Sequence, residues 1–248
     1  MGEIYKRVYK LFPLFMYTIY SVCLQAGCFP KRWKKAKIIP VVKQGKEKVQ
    51  DASKCRLISL TNVGGKVLEK LLINRIVRHL YSKNLMNPNQ YGFTPKKSTT
   101  DATLAVKEYT EEGFRRGHIT ILISLDVQEA FDAAWWPSIL HTLKILDCLK
   151  NLYNLTRSYF SDRTATLHTY SIQVERDITK GCPRGLCCGP GFWNIKYNSL
   201  LNLHYGKRTK AIAFADDLLI AVRAENIQEA ENSANIEINK ITNWPERK

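Results

Sequence analysis

Two apolar runs that end in aspartate constrain the fold of this 248-residue chain more than any other feature. Residues 119–125 form a short, β-branched and almost wholly apolar run that is followed by Asp126. Such a run predicts a strand buried on both faces. Residues 211–215 and 218–222 flank the pair Asp216 and Asp217, and this pattern predicts a β-hairpin with both acids at its tip.

The three carboxylates suggest a metal site if the fold brings them together. A carboxylate at the end of a buried strand is costly unless it is solvated, paired or bound to a metal. Clustered carboxylates repel one another, and divalent cations relieve that repulsion, as in two-metal phosphoryl transfer. Magnesium suits such a site because it takes oxygen ligands. The alternative is a polar hairpin turn and a strand-ending residue without function, but the apolar flanks on both sides favour the catalytic interpretation.

The charge of the chain favours a polyanionic partner. Lys and Arg number 38 against 22 Asp and Glu, which gives a formal net charge of +16. An excess of this size is typical of proteins that bind nucleic acid or an acidic membrane surface. The hydrophobic fraction of 45% is enough for one large or two modest folded domains.

The seven cysteines show no CxxC pair and predict free thiols without a disulfide partner. Residues 11–30 carry no charge, but Pro13, Gln25, Gly27 and Pro30 interrupt them. We therefore expect a buried helix over residues 5–27 and no membrane partner, with a signal-anchor as the alternative.

The remaining elements follow from periodicity and capping residues. Residues 36–42 predict a strand, with Pro40 suggesting an edge position. The lysine-rich residues 43–54 predict either a loop that contacts phosphates or a solvated surface loop. Helices are predicted over residues 65–82, 100–115 with a cap at Thr99 or Thr100, 137–161, 190–204 and 227–241, and paired strands over 164–170 and 172–178.

Several blocks together resemble the reverse transcriptases of non-LTR retrotransposons. Leu125-Asp-Val-Gln-Glu-Ala-Phe-Asp-Ala-Ala-Trp resembles the block with the first catalytic aspartate, and Ala213-Phe-Ala-Asp-Asp-Leu resembles the block with the double aspartate. Residues 180–194 are similar to the intervening glycine-rich block, and residues 29–36, 56–70 and 89–102 resemble upstream blocks. The sequence of the glycine-rich block is most similar to that of the arthropod clade whose elements insert into ribosomal RNA genes.

The resemblance implies an α+β fold with the fingers and palm of a right-hand polymerase, an antiparallel palm sheet packed by helices, and no thumb. It implies an N-terminal extension and fingers over residues 1–118 and a palm over 119–248, with fingers elements interleaved near 137–163. The reverse transcriptase domain as a whole would span about 36–248. The thumb, the endonuclease and a Cys/His-rich tail would belong to other parts of a larger polyprotein.

The resemblance also implies roles for individual residues. Asp126, Asp216 and Asp217 would be catalytic and would hold two Mg²⁺ ions, with Mn²⁺ as a possible substitute and the backbone of Val127 as a further ligand. Phe131 would be the steric gate against a 2′-hydroxyl. The other implied contacts are Arg56, Lys66 and Gly185 to the nucleotide, and Arg184, Phe214 and Ala215 to the template–primer; the family usually has Gln where Arg184 stands.

The implied reaction is attack of a primer 3′-hydroxyl on the α-phosphate of a deoxynucleoside triphosphate, templated by RNA. The partners would be an RNA template, a DNA primer and deoxynucleoside triphosphates, and the protein would act inside the cell, in the nucleus, on chromosomal DNA. Two alternatives stay open at this point: an RNA-dependent RNA polymerase palm, and a catalytically inactive, basic nucleic-acid-binding remnant.

Overall fold

The computed structural model describes residues 2–42, 55–127, 130–168, 173–182 and 185–244. Contact density divides the chain into two compact units. Unit 1 comprises residues 1–83 and 131–192, and unit 2 comprises residues 84–130 and 193–248. These bounds differ from the predicted division at residue 118, and the assignment of fingers and palm to particular ranges stays a prediction.

The helices and strands of unit 1 alternate along both of its segments. The first segment holds α1 (Gly2–Leu11), α2 (Pro13–Ala26), β1 (Lys35–Val42), β2 (Cys55–Leu60) and α3 (Val63–Ser82). The second holds α5 (Trp136–Ile145), α6 (Lys150–Phe160), β4 (Arg163–His168), β5 (Gln173–Ile178) and the start of α7 (Gly189–Leu201).

The four strands of unit 1 form one mixed sheet in the order β2-β1-β4-β5. β1 pairs antiparallel with β2 and parallel with β4, and β4 pairs antiparallel with β5. The predicted edge position of Pro40 is wrong for the strand as a whole, because β1 lies between two partners. Pairing with β4 covers only Lys35–Ile38, however, so Pro40 lies beyond it, where a missing N–H leaves no gap in that ladder.

The core of unit 1 combines a helical stripe with an aromatic cluster. Leu68, Leu72, Ile76 and Leu80 of α3 are almost completely buried, as their spacing of four residues predicts. In the aromatic cluster, the Trp136 and Phe160 rings are stacked with centroids 5.0 Å apart, and Phe160 also lies 5.0 Å from Phe192. This packing fixes α3, α5 and α6 around the start of α7.

The N-terminal residues form two helices, where a single buried helix is predicted over residues 5–27. Pro13 starts α2 at its first turn, so the chain breaks between α1 and α2. Only Met16, Tyr20 and Leu24 of α2 are buried, whereas Leu14 and Tyr17 are 75% and 69% exposed. The prediction of a buried helix is therefore wrong for most of its surface. No helix in the described ranges has the length and apolarity needed to cross a membrane.

The helix predicted over residues 137–161 is two helices, α5 and α6. Asp147 adopts the left-handed conformation with φ 48 and ends the first of them. The amide of Cys148 then donates to the carbonyl oxygen of Leu143 at 3.0 Å, which caps the helix. Aspartate visits this conformation more readily than most residues, but without glycine or proline the break leaves little signal in the sequence.

Unit 2 is built on a three-stranded antiparallel sheet in the order β3-β7-β6. Its elements are α4 (Thr99–Arg115), β3 (Ile119–Asp126), the end of α7, β6 (Thr209–Phe214), β7 (Asp217–Ala224) and α8 (Ile227–Thr242). α4 and α8 pack against the sheet. The predicted hairpin and its flanking helices are thus present in one unit.

The burial predicted for β3 is wrong. None of its residues is buried, and Leu122 is 48% exposed. β3 is the edge strand of the three-stranded sheet, so its neighbours cover it less than they cover β7, most of which is buried. An apolar run alone does not distinguish a central strand from an edge strand.

Candidate active site

The ladder between β3 and β7 brings the first aspartate to the hairpin. Asp126 lies directly opposite Asp217 in this antiparallel pairing. Phe214 in turn pairs with Asp217 across β6 and β7, so Ala215 and Asp216 form a two-residue turn. Directly paired residues point to the same face of a sheet, which places the side chains of Asp126 and Asp217 side by side. All three predicted catalytic residues therefore meet at one end of the unit 2 sheet.

The electrostatics of this end of the sheet favour a cation. Asp126 and Asp217 are exposed and Asp216 is half-buried. Partial burial raises the pKa of Asp217, and the neighbouring carboxyl groups of Asp216 and Asp126 raise it further. This repulsion is what a bound divalent ion would relieve, so the donor set fits a metal that prefers oxygen ligands.

The side chains do not form a finished ligand cluster as they stand. Among the described residues, no group of three His, Cys, Asp or Glu side chains meets the geometry of a metal site. The β3–β7 register pairs Asp126 with Asp217, and Asp216 lies in the adjoining turn, so the backbone places the three carboxylates at one end of the sheet.

The carbonyl of Val127, the predicted backbone ligand, accepts a hydrogen bond from the amide of Ala130 at 3.2 Å. A carbonyl oxygen has two lone pairs, so this bond leaves one for a further partner. Val127 also lines a cleft of about 610 Å³ with Leu125, Leu218 and Ile241. Asp126 also lines this cleft, so the cleft opens beside the first of the three aspartates.

Buried side chains of unit 2 brace the turn that carries Asp216. Ala215 has φ 58, a conformation that non-glycine residues rarely adopt. Its carbonyl oxygen accepts hydrogen bonds from Nε2 of Gln90 at 3.2 Å and from Nε1 of Trp193 at 3.0 Å. The hydroxyl of Tyr197 donates to the carbonyl oxygen of Asp216 at 3.3 Å. These three side chains hold the backbone on both sides of the turn peptide.

The segment that carries Gln90 runs beside β6 and packs tightly on the turn. The Tyr91 amide donates to the carbonyl of Ala213 at 2.8 Å, and the Ala213 amide donates to the carbonyl of Asn89 at 2.9 Å. A Cβ atom on Gly92 would lie 2.7 Å from Cα of Ala215 and closer still to its amide nitrogen. Only glycine therefore allows this approach without a backbone shift.

Gln90, Gly92, Trp193 and Tyr197 are not predicted as functional residues from the sequence. The first three lie in blocks that carry the family resemblance, which was the available signal. Their role depends on hydrogen bonds and contacts to residues more than twenty positions away, except for Tyr197, and such contacts leave no local pattern. Phe214 and Ala215, predicted at the template–primer, lie at the same turn.

The predicted nucleotide-binding positions all belong to unit 1. Gly185 has φ +92, and a Cβ atom there would lie 2.9 Å from the carbonyl oxygen of Ser59 in β2. The backbone of Arg56 lies in the same strand, but its side chain is outside the described part of the structure. Lys66 of α3 is half-buried and acts electrostatically on the Cys187 thiol, two residues after Gly185.

Phe131 and Arg184 are the other two predicted contacts. Phe131 belongs to unit 1 and is half-buried. Its carbonyl oxygen accepts a hydrogen bond from the amide of Cys182 at 2.6 Å, which ties it to the start of the glycine-rich block. Arg184 lies outside the described residues. All seven cysteines are free thiols in the structure.

The family model described as reverse transcriptase (RNA-dependent DNA polymerase) matches residues 41–244. Among curated relatives, the Pol polyprotein of the type-1 retrotransposable element R1 of Bradysia coprophila is 32% identical over 91% of this chain. The RNA-directed DNA polymerase of the mobile element jockey of Drosophila melanogaster is 27% identical over 94%. The chain spans only 22% and 26% of the length of these two relatives. The predicted resemblance to non-LTR retrotransposon enzymes is confirmed.

Solved structures support the fold independently of these sequences. An apo telomerase from Candida tropicalis, truncated of its C-terminal domain, aligns with a TM-score of 0.63 over 92% of this chain and 51% of its own. The identity is 9%, so this likeness concerns the fold alone. The predicted α+β polymerase fold is confirmed. With the family model covering most of its length, this chain belongs to the reverse transcriptase family.

Proposed function

We propose that this chain is the polymerase core of a non-LTR retrotransposon reverse transcriptase, which copies the element's RNA into DNA. The observation that carries the proposal is the pairing of Asp126 with Asp217 beside a braced turn that presents Asp216. A polar hairpin turn without function would not need two buried donors on one carbonyl of a left-handed residue.

Two magnesium ions, with manganese as a substitute, would be held by Asp126, Asp216, Asp217 and the carbonyl of Val127, and would supply the charge that activates the primer hydroxyl and stabilises the leaving pyrophosphate. The protein's own contribution is placement. The β3–β7 register sets the distance between Asp126 and Asp217. The hydrogen bond from Gln90 to the carbonyl of Ala215 fixes the turn, and so the direction of Asp216. Preorganised charge of this kind supplies a large part of enzymatic rate enhancement.

The substrate contacts are also proposed from the resemblance to the family's sequence blocks. Arg56, Lys66 and Gly185 would contact the incoming deoxynucleoside triphosphate, and Phe131 would exclude a 2′-hydroxyl. Arg184, Phe214 and Ala215 would contact the RNA template and the DNA primer. The support is that Gly185, Lys66 and the strand of Arg56 lie together in unit 1.

The place of action is proposed from the class of element alone. A primer supplied by a nicked chromosomal end requires the protein to act in the nucleus. The nicking endonuclease would belong to another part of the polyprotein, since the relatives are about four to five times longer than the matched region.

Primer extension on an RNA template tests the proposal. The wild-type chain is expected to add deoxynucleotides in Mg²⁺ or Mn²⁺ and none in EDTA. Asp126→Asn and Asp216→Asn should each lower the extension rate at least roughly hundredfold, because each replaces a charged metal ligand by a neutral amide. Glu231→Gln is the matched control, since Glu231 is an exposed carboxylate of α8 and its loss should leave the rate unchanged.

Three results would count against the proposal. Extension that survives Asp216→Asn would show that the metal assignment is wrong. Preferential addition of ribonucleotides would support the RNA-dependent RNA polymerase instead, and RNA binding without any extension in either metal would support the inactive remnant.

A further inference from the structure

Glu69 is a fully buried carboxyl group in the middle of α3, outside the aspartate site. Its relative exposure is 0%, whereas the neighbouring core positions of the helix, Leu68 and Leu72, are ordinary apolar residues. A buried carboxyl group costs free energy unless it is hydrogen-bonded or paired. A leucine would fill a helix core position without that cost, so the carboxyl group calls for a partner that requires it.

The partner of Glu69 is the loop from Gly185 to Cys188, which lies within the glycine-rich block. Oε2 of Glu69 accepts a hydrogen bond from the backbone amide of Cys187 at 2.9 Å. The thiol of Cys188 donates to the backbone carbonyl of Glu69 at 3.2 Å. Two successive loop residues are therefore attached to one residue of α3.

The other end of the same loop is fixed against β2. Gly185 approaches so closely that a Cβ atom would lie 2.9 Å from the carbonyl oxygen of Ser59 and 3.0 Å from Cγ2 of Ile58. Leu186, between the two attachment points, is buried. The loop from Gly185 to Cys188 is thus held on β2 at one end and on Glu69 at the other.

The environment of Glu69 keeps the carboxyl group available as an acceptor. Burial raises the pKa of Glu69, while the hydrogen bond from the Cys187 amide, the charges of Arg163 and Lys66, and a hydrogen bond from the Tyr159 hydroxyl oppose that rise. The Arg163 guanidinium is itself buried and lies 4.3 Å from the centre of the Tyr159 ring. The carboxyl group of Glu69 therefore has two hydrogen-bonding neighbours, the Tyr159 hydroxyl and the Cys187 amide, and the Cys187 amide is the one that belongs to the loop.

We propose that Glu69 is a positioning residue, whose carboxyl group holds the amide of Cys187 and so fixes the loop from Gly185 to Cys188 in the conformation that receives the incoming nucleotide. The proposal rests on the nucleotide-binding role of Gly185 within the proposed function. Glu69 itself touches no substrate in this scheme. Its effect reaches Gly185 through the backbone of the loop, because the Cys187 amide that it holds lies two positions further along the chain.

Hydrogen exchange of the protein without substrates tests whether Glu69 holds the loop, and it needs no enzymatic activity. Glu69→Leu removes the acceptor but keeps a similar volume, and backbone amides of residues 185–188 should then exchange at least about tenfold faster. Glu69→Gln retains a carbonyl acceptor and should restore most of the protection. Glu231→Leu and Glu231→Gln are the matched controls on an exposed helix face, and neither should alter exchange in the loop.

Steady-state extension tests the functional half with the same four variants. Glu69→Leu should raise KM for deoxynucleotide about tenfold and change kcat less than threefold, because the chemistry at the aspartates is untouched. Glu69→Gln should bring KM back to within about threefold of wild type. A residue needed only for folding would instead lower the amount of active enzyme, and so kcat, without moving KM.

The outcomes separate this inference from the proposed function. Unchanged loop exchange in Glu69→Leu, or equal effects of the Leu and Gln variants, would overturn the inference even if the enzyme is fully active. Faster loop exchange with rescue by Gln, in a protein that extends no primer, would uphold the attachment and reject the function on which its nucleotide role rests. If Glu69→Leu does not fold, Glu69→Gln alone decides, since full loss of loop protection in that variant would contradict a role as simple acceptor.

Discussion

Ala215 stores backbone strain at the turn that presents Asp216. A non-glycine residue at φ 58 costs on the order of 1 kcal/mol, and such residues persist where the surrounding structure fixes them. Gln90 and Trp193 provide that fixing through the Ala215 carbonyl, and both are almost completely buried. Since the Gln90 side-chain oxygen also accepts from the amide of Gly92 at 3.0 Å, one amide group links the turn to the segment beside β6.

Gly92→Ala is predicted to displace this turn. The added methyl group would meet the backbone of Ala215, which cannot move aside as a flexible side chain would. We expect the free energy of unfolding to fall by roughly 1–3 kcal/mol and primer extension to fall at least roughly tenfold, because the direction of Asp216 changes with the turn. Chemical denaturation and extension rates measure the two effects.

Gly2→Ala is the matched control for this substitution. Its added methyl group would meet no atom within 4 Å, so neither stability nor extension should change. A Gly92→Ala protein with wild-type extension would show that the close packing on Ala215 does not matter for the site.

At the residue scale, the three aspartates could be predicted from the sequence, but the side chains that hold their turn in place could not. Asp126, Asp216 and Asp217 each end or interrupt an apolar run, so the local pattern marks them as a candidate site. Gln90 and Trp193 hold the turn through hydrogen bonds that span 125 and 22 residues. Such contacts exist once the chain has folded, and no local periodicity encodes them.

At the scale of elements, α4 shows how a helix start is fixed by its cap. The hydroxyl of Ser98 accepts a hydrogen bond from the amide of Asp101 at 3.3 Å, and the Asp101 carboxylate accepts from the amide of Ser98 at 2.7 Å. This reciprocal pair is a capping box. The predicted cap at Thr99 or Thr100 is therefore wrong by one or two residues, because aspartate three positions after Ser98 completes the box.

Ser98→Ala should lower the free energy of unfolding by about 1 kcal/mol at pH 7, the usual cost of losing a side-chain cap. Donation from Ser98 lowers the pKa of Asp101 below its ordinary value of 3.8. A lowered folded-state pKa contributes stability above the unfolded value, and that stability is lost as the pH falls through the folded value. The difference between wild type and Ser98→Ala should therefore shrink below about pH 4.

Thermal or urea unfolding across pH measures this difference, with Thr103→Ala as the control. Thr103 is an exposed residue inside the same helix, and its hydroxyl donates back to the carbonyl of Thr99. Its loss should leave stability within about 0.5 kcal/mol of wild type. Equal effects of the two substitutions would remove the case for a capping box.

Elements with a strong period were predicted well, and breaks within them were not. α3 and the β6–β7 hairpin follow their apolar patterns closely. The α5–α6 break at Asp147 and the open side of β3 depend on a single left-handed residue and on sheet order. Both are set by tertiary packing, which overrides local preference.

At the scale of the whole molecule, the two compact units are discontinuous in sequence. Unit 1 resumes at Phe131, five residues after Asp126, and unit 2 resumes at Trp193, inside α7. Fold class could be predicted because the family blocks keep their order along the chain. The unit boundaries could not, because neither a linker nor a change in composition marks either crossing.

The net charge of +16 predicts how the whole chain binds nucleic acid. Neutralising phosphates releases counterions, so the logarithm of the affinity for single-stranded RNA falls with the logarithm of salt concentration with a slope of roughly −0.7 per phosphate contact. For about five to eight contacts, affinity should fall roughly 10²- to 10³-fold between 50 and 200 mM salt. Fluorescence anisotropy with a labelled RNA measures this slope.

The same titration separates binding from catalysis. In EDTA the wild-type chain should bind RNA as tightly as in Mg²⁺, or slightly more tightly, because Mg²⁺ competes for phosphates. Asp216→Asn should keep the salt slope of wild type, since one carboxylate hardly alters a field set by 38 cations and 22 anions. A slope near zero would mean that the excess positive charge does not face the RNA. Loss of binding in EDTA would instead make the metal part of the RNA contact, and the aspartate site could then no longer be treated as separate from the charged surface.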